Sequence, residues 1–179
     1  MSIQEVKIVA VGDGGVGKRS LLLVLNNKPF PERYRPAIFE NYTQNVSIDN
    51  VPYKFHIWDT SGGGEYDRLR PLSYNGANVI FLCFSLDSKS SFLNLTEKWI
   101  GEVRHYCIDA KIILIGTKSD LRMDGNQYHV TDQEANQFLT EQNFFAFIPC
   151  SAKTGEGINE IFPAVIKALT SCSAKCLLI

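Results

Sequence analysis

A glycine-rich segment, Gly12-Asp13-Gly14-Gly15-Val16-Gly17-Lys18, lies between an apolar run and a stretch of helical period. Glycines let backbone N–H groups converge on phosphate oxygens, and the N-terminus of the following helix adds positive potential. The ammonium of Lys18 stands where it can reach the β and γ phosphates of a nucleotide. A ligand-free turn would leave this lysine unexplained, so the segment from Gly12 to Ser20 predicts a phosphate-binding loop.

Two later segments, Thr117-Lys118-Ser119-Asp120 and Ser151-Ala152-Lys153, each follow an apolar run. A carboxylate such as that of Asp120 can accept hydrogen bonds from N1–H and N2–H₂ of guanine, whereas adenine presents an acceptor at N1. We expect Lys118 to lie along the base and the Ala152 N–H to meet the guanine O6. Together the two segments favour GTP or GDP over an adenine nucleotide, and they oppose a P-loop kinase or ATPase.

A third segment, Asp59-Thr60-Ser61-Gly62, ends another apolar run. It offers a carboxylate near a metal and a glycine N–H for the γ-phosphate, as in enzymes of phosphoryl transfer. Taken alone, it is also compatible with an ordinary turn.

The elements that must position these motifs alternate between strand-like and helix-like segments, which predicts an α/β fold with a mostly parallel sheet and helices on both faces. The pair 45–48 and 53–59 is joined through Asp49-Asn50, a turn typical of a hairpin. Thr131 and Glu134 form a capping box for a helix that runs through Gln142. A stripe from Phe92 to Tyr106 predicts a core-facing helix. The predicted strands are residues 6–12, 45–48, 53–59, 79–85, 111–116 and 146–149.

Composition limits the alternatives. The chain has 179 residues and a formal net charge of -1, which suits a single domain and no nucleic-acid partner. The first residues lack a targeting signal, so we expect a cytosolic pool. Five cysteines in an odd set suggest no disulfide framework, and Cys83 and Cys107 are expected to pack in the core. The histidines lack metal-ligand spacing.

The motifs, taken with three further segments, resemble those of Ras-like small GTPases, and more closely the Rho family. Residues 39–42, 66–74 and 97–99 are similar to that family's effector and switch segments almost letter for letter. The resemblance covers nearly the whole chain. It implies a Ras-like P-loop fold with six strands and one antiparallel pairing, a monomeric signalling protein, and an aromatic residue, Phe30, beside the guanine. It also implies effectors that act on the actin cytoskeleton, exchange factors and a prenyl-binding dissociation inhibitor as partners.

The motifs and the resemblance together give two sets of candidate site residues. The nucleotide-binding set is Asp13, Gly14, Gly15, Val16, Gly17, Lys18, Arg19, Ser20, Phe30, Asp59, Gly62, Lys118, Asp120, Leu121, Ser151, Ala152 and Lys153. The effector set is Phe39, Glu40, Asn41, Tyr42, Tyr66, Arg68 and Leu69.

One family feature is missing between the guanine motif and the next helix. Rho proteins usually carry a helical insert there, yet ten residues separate Asp120 from Thr131. We therefore expect this protein to lack the insert and any partner that binds it.

Three positions depart from the family pattern at the metal and the attacking water. Arg19 replaces the hydroxyl residue that binds Mg²⁺, Ala37 replaces a threonine of the first switch, and Gly63 replaces the glutamine that orients the water. In one interpretation these are independent changes in a cycling GTPase that still hydrolyses GTP with water-held Mg²⁺. In the other, Arg19 supplies positive charge beside Asp59 and the β phosphate. Binding is then largely independent of Mg²⁺, Asp59 is a metal residue only indirectly, and hydrolysis is very slow.

The chain ends in Cys176-Leu177-Leu178-Ile179, a prenylation motif whose last residue favours geranylgeranyl. One lipid anchors weakly, and Cys172 is a candidate for acylation. We thus divide the chain into a nucleotide-binding domain, residues 1–170, and a tail, 171–179. The lipid would place the protein on the cytoplasmic side of the plasma membrane or of internal membranes.

Overall fold

The computed structural model describes residues 3–33 and 39–171, arranged as a six-stranded sheet with helices on both faces. The strands are β1 Gln4–Val11, β2 Phe39–Ile48, β3 Val51–Thr60, β4 Val79–Ser85, β5 Lys111–Thr117 and β6 Ala146–Pro149. The helices are α1 Lys18–Leu25, α2 Lys89–Asn94, α3 Ile100–Tyr106, α4 Asp132–Gln142 and α5 Ile161–Thr170, with a π-helical turn Leu95–Trp99 between α2 and α3. Short 3₁₀ turns lie at Gly64–Tyr66, Arg70–Ser73, Ser119–Leu121 and Ile158–Glu160.

The strand order is β2-β3-β1-β4-β5-β6, and every pairing is parallel except β2 with β3. This confirms the predicted α/β fold with one antiparallel pair. The hairpin turn has positive φ at Asp49 (50°) and Asn50 (63°), the conformation that suits the right-handed twist of the flanking strands.

The predicted start of β2 is wrong by six residues, because the strand begins at Phe39 rather than Asn45. Phe39 pairs with Thr60 and Ile48 with Val51. Since β2 is an edge strand with one solvated face, its outward residues are polar, and its first half therefore lacks the apolar signal expected of a strand.

Alternate residues of the strands feed two cores, one on each face of the sheet. On one face, Ile8 packs with residues of α1 and α5, and the ring of Phe55 stacks on Phe162 with centroids 4.3 Å apart. On the other face, Val9 packs with Trp99. Cys83 and Cys107 are buried in these cores, as expected.

The helix predicted along the stripe from Phe92 to Tyr106 is interrupted by the π-helical turn. Ile100 and Val103, which follow this turn, are buried as predicted. Tyr106, the last residue of α3, is half exposed instead of buried in the core. The capping box of Thr131 and Glu134 is confirmed at the start of α4. Pro163 lies in the first turn of α5, where a missing N–H is tolerated.

Several sequence-based predictions fall on segments that lack a described structure. Ala37, Cys172 and Cys176 lie outside the described residues. Between Leu121 and Asp132 the structure has a loop without a helix, while the expectation that relatives carry an insert there stays a prediction. Within the described ranges, no helix has the length and hydropathy needed to span a membrane.

Candidate nucleotide-binding site

The glycine-rich loop connects the end of β1 at Val11 to the start of α1 at Lys18. Its first residue, Gly12, has a φ of 143°, and a Cβ at this position would lie 2.1 Å from the carbonyl oxygen of Cys83 in β4. Gly62 is equally confined, because its Cβ would lie 2.4 Å from backbone atoms of the loop. The loop is therefore closely packed between two other backbone segments, and only glycine fits at these two contacts.

The side chain of Lys18 is buried, and its ammonium bonds to the loop itself. Its Nζ donates to the carbonyl oxygens of Gly12 at 2.7 Å and Asp13 at 2.8 Å. Burial lowers the pKa of Lys18, and the negative charge of Asp59 is among the influences that oppose this shift. The loop thus holds a cation at the point predicted to meet phosphate.

Two adjoining cavities form the site. The first has a volume of about 680 Å³ and is lined by ten residues of the predicted nucleotide-binding set, namely Gly14, Gly15, Gly17, Lys18, Arg19, Ser20, Phe30, Asp59, Gly62 and Lys118. The second, of about 330 Å³, contains Gly17, Ser20, Phe30, Lys118, Asp120, Leu121, Ala152 and Lys153. The four shared residues show that the cavities meet, with the loop on one side and the guanine motifs on the other.

Three residues of the predicted nucleotide-binding set line neither cavity. The carboxylate of Asp13 accepts hydrogen bonds from Asn94 Nδ2 at 2.6 Å and Trp99 Nε1 at 2.7 Å. It therefore joins the loop to the end of α2 and to the π-helical turn. Val16 is buried in the core. Ser151 Oγ donates to Asp120 Oδ1 at 2.6 Å, so this hydroxyl orients the carboxylate predicted to read guanine.

Backbone contacts hold the two guanine motifs together. Lys118 has a φ of 58°, which turns the chain sharply after β5. The next residue, Ser119, donates its N–H to the carbonyl of Cys150 at 3.0 Å. The hydroxyl of Thr117 donates to the carbonyls of Phe84, at 2.9 Å, and Val16. Thr117 belongs to the first guanine motif, but no role was predicted for its side chain. Its position at the end of a buried strand was the available signal.

Arg19 lies beside two carboxylates that face each other across the hairpin. Glu40 and Asp59 are paired residues of β2 and β3. Arg19 Nη1 lies 2.5 Å from Glu40 Oε1, in an ion pair whose angles do not make an aligned hydrogen bond. Tyr42 donates its hydroxyl to the other oxygen of Glu40 at 2.7 Å. The sequence predicted that Arg19 would approach Asp59, but its direct partner is the effector residue Glu40. No local sequence pattern links these two residues, because they lie on α1 and β2.

Asp59 is 1% exposed, and its Oδ2 has no hydrogen-bond partner among the described residues. Burial raises the pKa of this carboxyl to about 6, while the positive charges of Lys18 and Arg19 oppose the shift. An unpartnered buried oxygen is an acceptor that is available to a cation or a donor group.

The residues around Asp59 are a poor fit to Mg²⁺. This ion is normally held by one or two carboxylates together with hydroxyl, water and phosphate oxygens in octahedral geometry. Here the position after the loop lysine holds a guanidinium, which donates hydrogen bonds and cannot ligate a cation. Asp59 is therefore a single carboxylate that lies beside the positive charge of Arg19.

A buried arginine fixes the segment that follows β3. Arg70 has no exposed surface, and it donates from Nε to the Ser61 carbonyl at 3.0 Å and from Nη2 to the Gly63 carbonyl at 3.2 Å. Its Nη1 binds Glu102, and its guanidinium lies 4.5 Å from the ring centre of Trp99. The resemblance included Arg70 only as part of a matching segment, since no local pattern indicates that an arginine is buried.

The predicted effector residues lie along β2 and the segment after β3. The ring of Phe39 meets that of Tyr66 edge-on, with centroids 6.2 Å apart. Asn41, Arg68 and Leu69 are exposed. Of the effector set, Tyr66 lines the first cavity.

The fold and the site define a Ras-like P-loop domain for a guanine nucleotide. A family model described as the Ras family matches residues 7–171. The GTP-binding protein RHO1 of Candida albicans is 46% identical over 171 residues, covering 90% of this chain and 86% of the relative. The GTP-binding protein rho1 of Schizosaccharomyces pombe is 43% identical over 171 residues, covering 90% of this chain and 85% of the relative. The chain belongs to the Ras family, within which it is a Rho-like small GTPase.

The buried carboxyl of Asp59 gives a prediction about stability. Its pKa in the folded protein, about 6, exceeds the usual value of 3.8, so the native state holds a proton more tightly than the unfolded state does. The contribution of Asp59 to the unfolding free energy should therefore fall as pH rises from about 4 through 6, by up to about 3 kcal/mol. Carboxyls with a lowered pKa, such as Glu40 and Asp67, contribute in the opposite direction. Asp59→Asn should stabilise the nucleotide-free protein at pH above 7 and have little effect near pH 4, as measured by urea unfolding in EDTA.

The exposed Asp109 provides the matched control. Asp109→Asn should have little effect on the unfolding free energy, because the side chain is exposed. An Asp59→Asn variant that gains no stability relative to the parent between pH 4 and pH 7, or that is less stable than the parent at neutral pH, would contradict the assignment.

Proposed function

We propose that this protein is a membrane-anchored Rho-like switch that binds GTP and GDP with little dependence on Mg²⁺ and hydrolyses GTP very slowly. The loop, the two guanine motifs and the adjoining cavities support the binding of a guanine nucleotide. The observation that carries the atypical part of the proposal is the Arg19 guanidinium beside Glu40 and Asp59.

Weak Mg²⁺ dependence has an electrostatic basis. A divalent cation near the β and γ phosphates offsets their charge and that of Asp59. Arg19 lines the same cavity and its charge opposes the upward shift in the pKa of Asp59, so it already supplies part of that compensation. Glu40 neutralises some of this charge, and it also keeps the guanidinium at the cavity wall. A cation that is part of the chain remains in place when metal is removed.

We predict that GDP affinity changes by less than about tenfold, or about 1.4 kcal/mol, between excess Mg²⁺ and excess EDTA. Arg19→Thr, which returns a hydroxyl to this position, should make binding clearly dependent on Mg²⁺. Fluorescent GDP titrations of both proteins in the two buffers measure the difference.

The control is Arg104→Thr, which removes an exposed arginine from α3 and should behave as the parent does. A collapse of parental GDP affinity on chelation, equal to that of Arg19→Thr, would show that Arg19 does not replace the metal's charge.

Slow hydrolysis follows from the absence of a side chain at position 63. Phosphoryl transfer depends on charge stabilisation and on a positioned water. Gly63 has no side chain to orient that water, and a partner's arginine finger would find no glutamine there to hold. The backbone of Gly63, with φ -72° and ψ 141°, is one that any residue can adopt.

We predict that single-turnover GTP hydrolysis by the parent is much slower than that of the Candida albicans relative measured beside it. Gly63→Gln should raise the rate about tenfold or more, because a positioned polar group commonly contributes at least that much. Gly64→Gln is the matched control, since a Cβ at that position meets only Asp67 Oδ2 at 3.8 Å. Equal rates for the parent and the relative would refute the proposal.

The rival function is a conventional cycling GTPase that binds Mg²⁺ through water and hydrolyses GTP at an ordinary rate. In this rival function, the unpartnered Oδ2 of Asp59 is the acceptor for a metal-bound water. The two experiments above separate the rival from our proposal, because it requires both chelation sensitivity and normal turnover.

The partners we propose are those of the family: effectors, including regulators of actin, exchange factors and a dissociation inhibitor. The exposed residues Asn41, Arg68 and Leu69 form the candidate contact surface. The proposed state is monomeric, located on the cytoplasmic face of a membrane with a pool in the cytosol.

Membrane anchoring rests on the terminal motif at Cys176. We predict that purified protein accepts a geranylgeranyl group and then partitions partly onto liposomes, since a single lipid chain binds reversibly. Cys176→Ser should abolish both modification and sedimentation with liposomes, whereas Cys172→Ser should retain both. Equal sedimentation of Cys176→Ser and the parent would contradict the anchor.

A further inference from the structure

The space that a side chain at position 63 would enter is already filled. A Cβ on Gly63 would lie 2.4 Å from Glu65 Oε2 and 2.6 Å from Glu65 Oε1. Since the backbone of Gly63 places no restriction on residue type, this carboxylate is what a side chain there would displace. Glu65 thus brings two oxygens to the place where a glutamine would begin in the usual family pattern.

The turn that carries Glu65 is fixed on several sides. Within the 3₁₀ turn Gly64–Tyr66, the Tyr66 N–H donates to the Gly63 carbonyl at 3.1 Å. The same carbonyl accepts from the buried Arg70, and the Gly63 N–H donates to Ser61 Oγ at 3.3 Å. These contacts define the backbone from which the Glu65 side chain extends.

The Glu65 side chain lines the first cavity together with Lys18, Arg19 and Asp59. Across residues 3–33 and 39–171 its carboxylate forms no hydrogen bond or ion pair. Other carboxylates of this region have such roles, since Asp67 pairs with Arg70 and Glu102 with the same arginine. Among the described residues, Glu65 is therefore an acceptor at the phosphate end of the site that has no such partner.

We infer that Glu65 is the catalytic residue that orients the attacking water in place of the missing glutamine. This rests on the proposed function, in that the cavity must bind GTP. The water oxygen forms a bond to the γ phosphorus, and the bond from that phosphorus to the bridging oxygen breaks with its electron pair left on GDP. The water proton passes to the Glu65 carboxylate and then to the phosphate product, so that GTP and water give GDP and phosphate.

The same geometry accounts for a slow reaction. A glutamine amide can accept a hydrogen bond from water and donate one to the γ-phosphate, whereas a carboxylate only accepts. Its negative charge also repels the phosphate. Lys18 and Arg19 in the same cavity reduce this repulsion. Glu65 therefore supports residual hydrolysis below the rate of a glutamine enzyme.

The test is a double-mutant cycle of single-turnover hydrolysis at saturating GTP. Glu65→Ala should lower the parental rate constant about tenfold or more, with GTP affinity within about threefold of the parent. In the Gly63→Gln background, where the new side chain displaces the carboxylate, Glu65→Ala should change the rate less than about twofold. Glu141→Gln, which alters an exposed glutamate of α4, is the control and should hydrolyse GTP as the parent does.

Four results would overturn the inference: an unchanged or faster Glu65→Ala, an equal loss in both backgrounds, a parent that binds GTP but never hydrolyses it, or a GTP affinity that rises strongly in Glu65→Ala. The last would make Glu65 a repulsive group rather than a catalytic one. GTP titration separates the two proposals, because a parent that fails to bind GTP refutes the proposed function itself.

Discussion

The close packing of the phosphate loop against two other backbones is the constraint from which the rest of the site follows. Gly12 meets the carbonyl of Cys83, and Gly62 meets the loop from the other side. Neither contact leaves room for a Cβ, so the loop, β4 and the segment after β3 are held at fixed separations. That separation places Lys18, Asp59 and the residues after Gly62 around a single cavity.

Charges around this cavity are arranged in pairs that extend beyond it. Lys18 and Arg19 face Asp59, and Arg19 also contacts Glu40 on the edge strand. Position 19 therefore connects the nucleotide cavity with a predicted effector residue. The proposal of weak Mg²⁺ dependence and the contact with Glu40 are two consequences of one side chain.

A second network links the loop to the segment after β3. Asp13 binds Trp99, and the ring of Trp99 lies against the guanidinium of Arg70. Arg70 in turn holds the carbonyls of Ser61 and Gly63. Removing the arginine would leave the largely buried Glu102 carboxylate without its cation, a change that is strongly destabilising in proteins. The three consecutive glycines 62–64 thus have an ordered backbone, because their support comes from a neighbouring layer rather than from their own side chains.

The sequence by itself determined the fold class, five of the six strands to within two residues at either end, the phosphate loop and the guanine motifs. Each of these depends on local signals: apolar period, turn residues, or a motif at a strand end. The predictions were wrong where the local signal was weak or misleading, as at the polar start of β2 and at Tyr106, the half-exposed last residue of α3.

Only the tertiary structure decided where the site's side chains point. Asp13 turns to Trp99, Arg19 pairs with Glu40, and Glu65 fills the space beside Gly63. The first two join residues that are distant in the chain, and the third depends on a turn fixed by a buried arginine. Such directions are set by packing between layers of the fold, because a side chain settles on whichever partners the assembled backbone brings within reach.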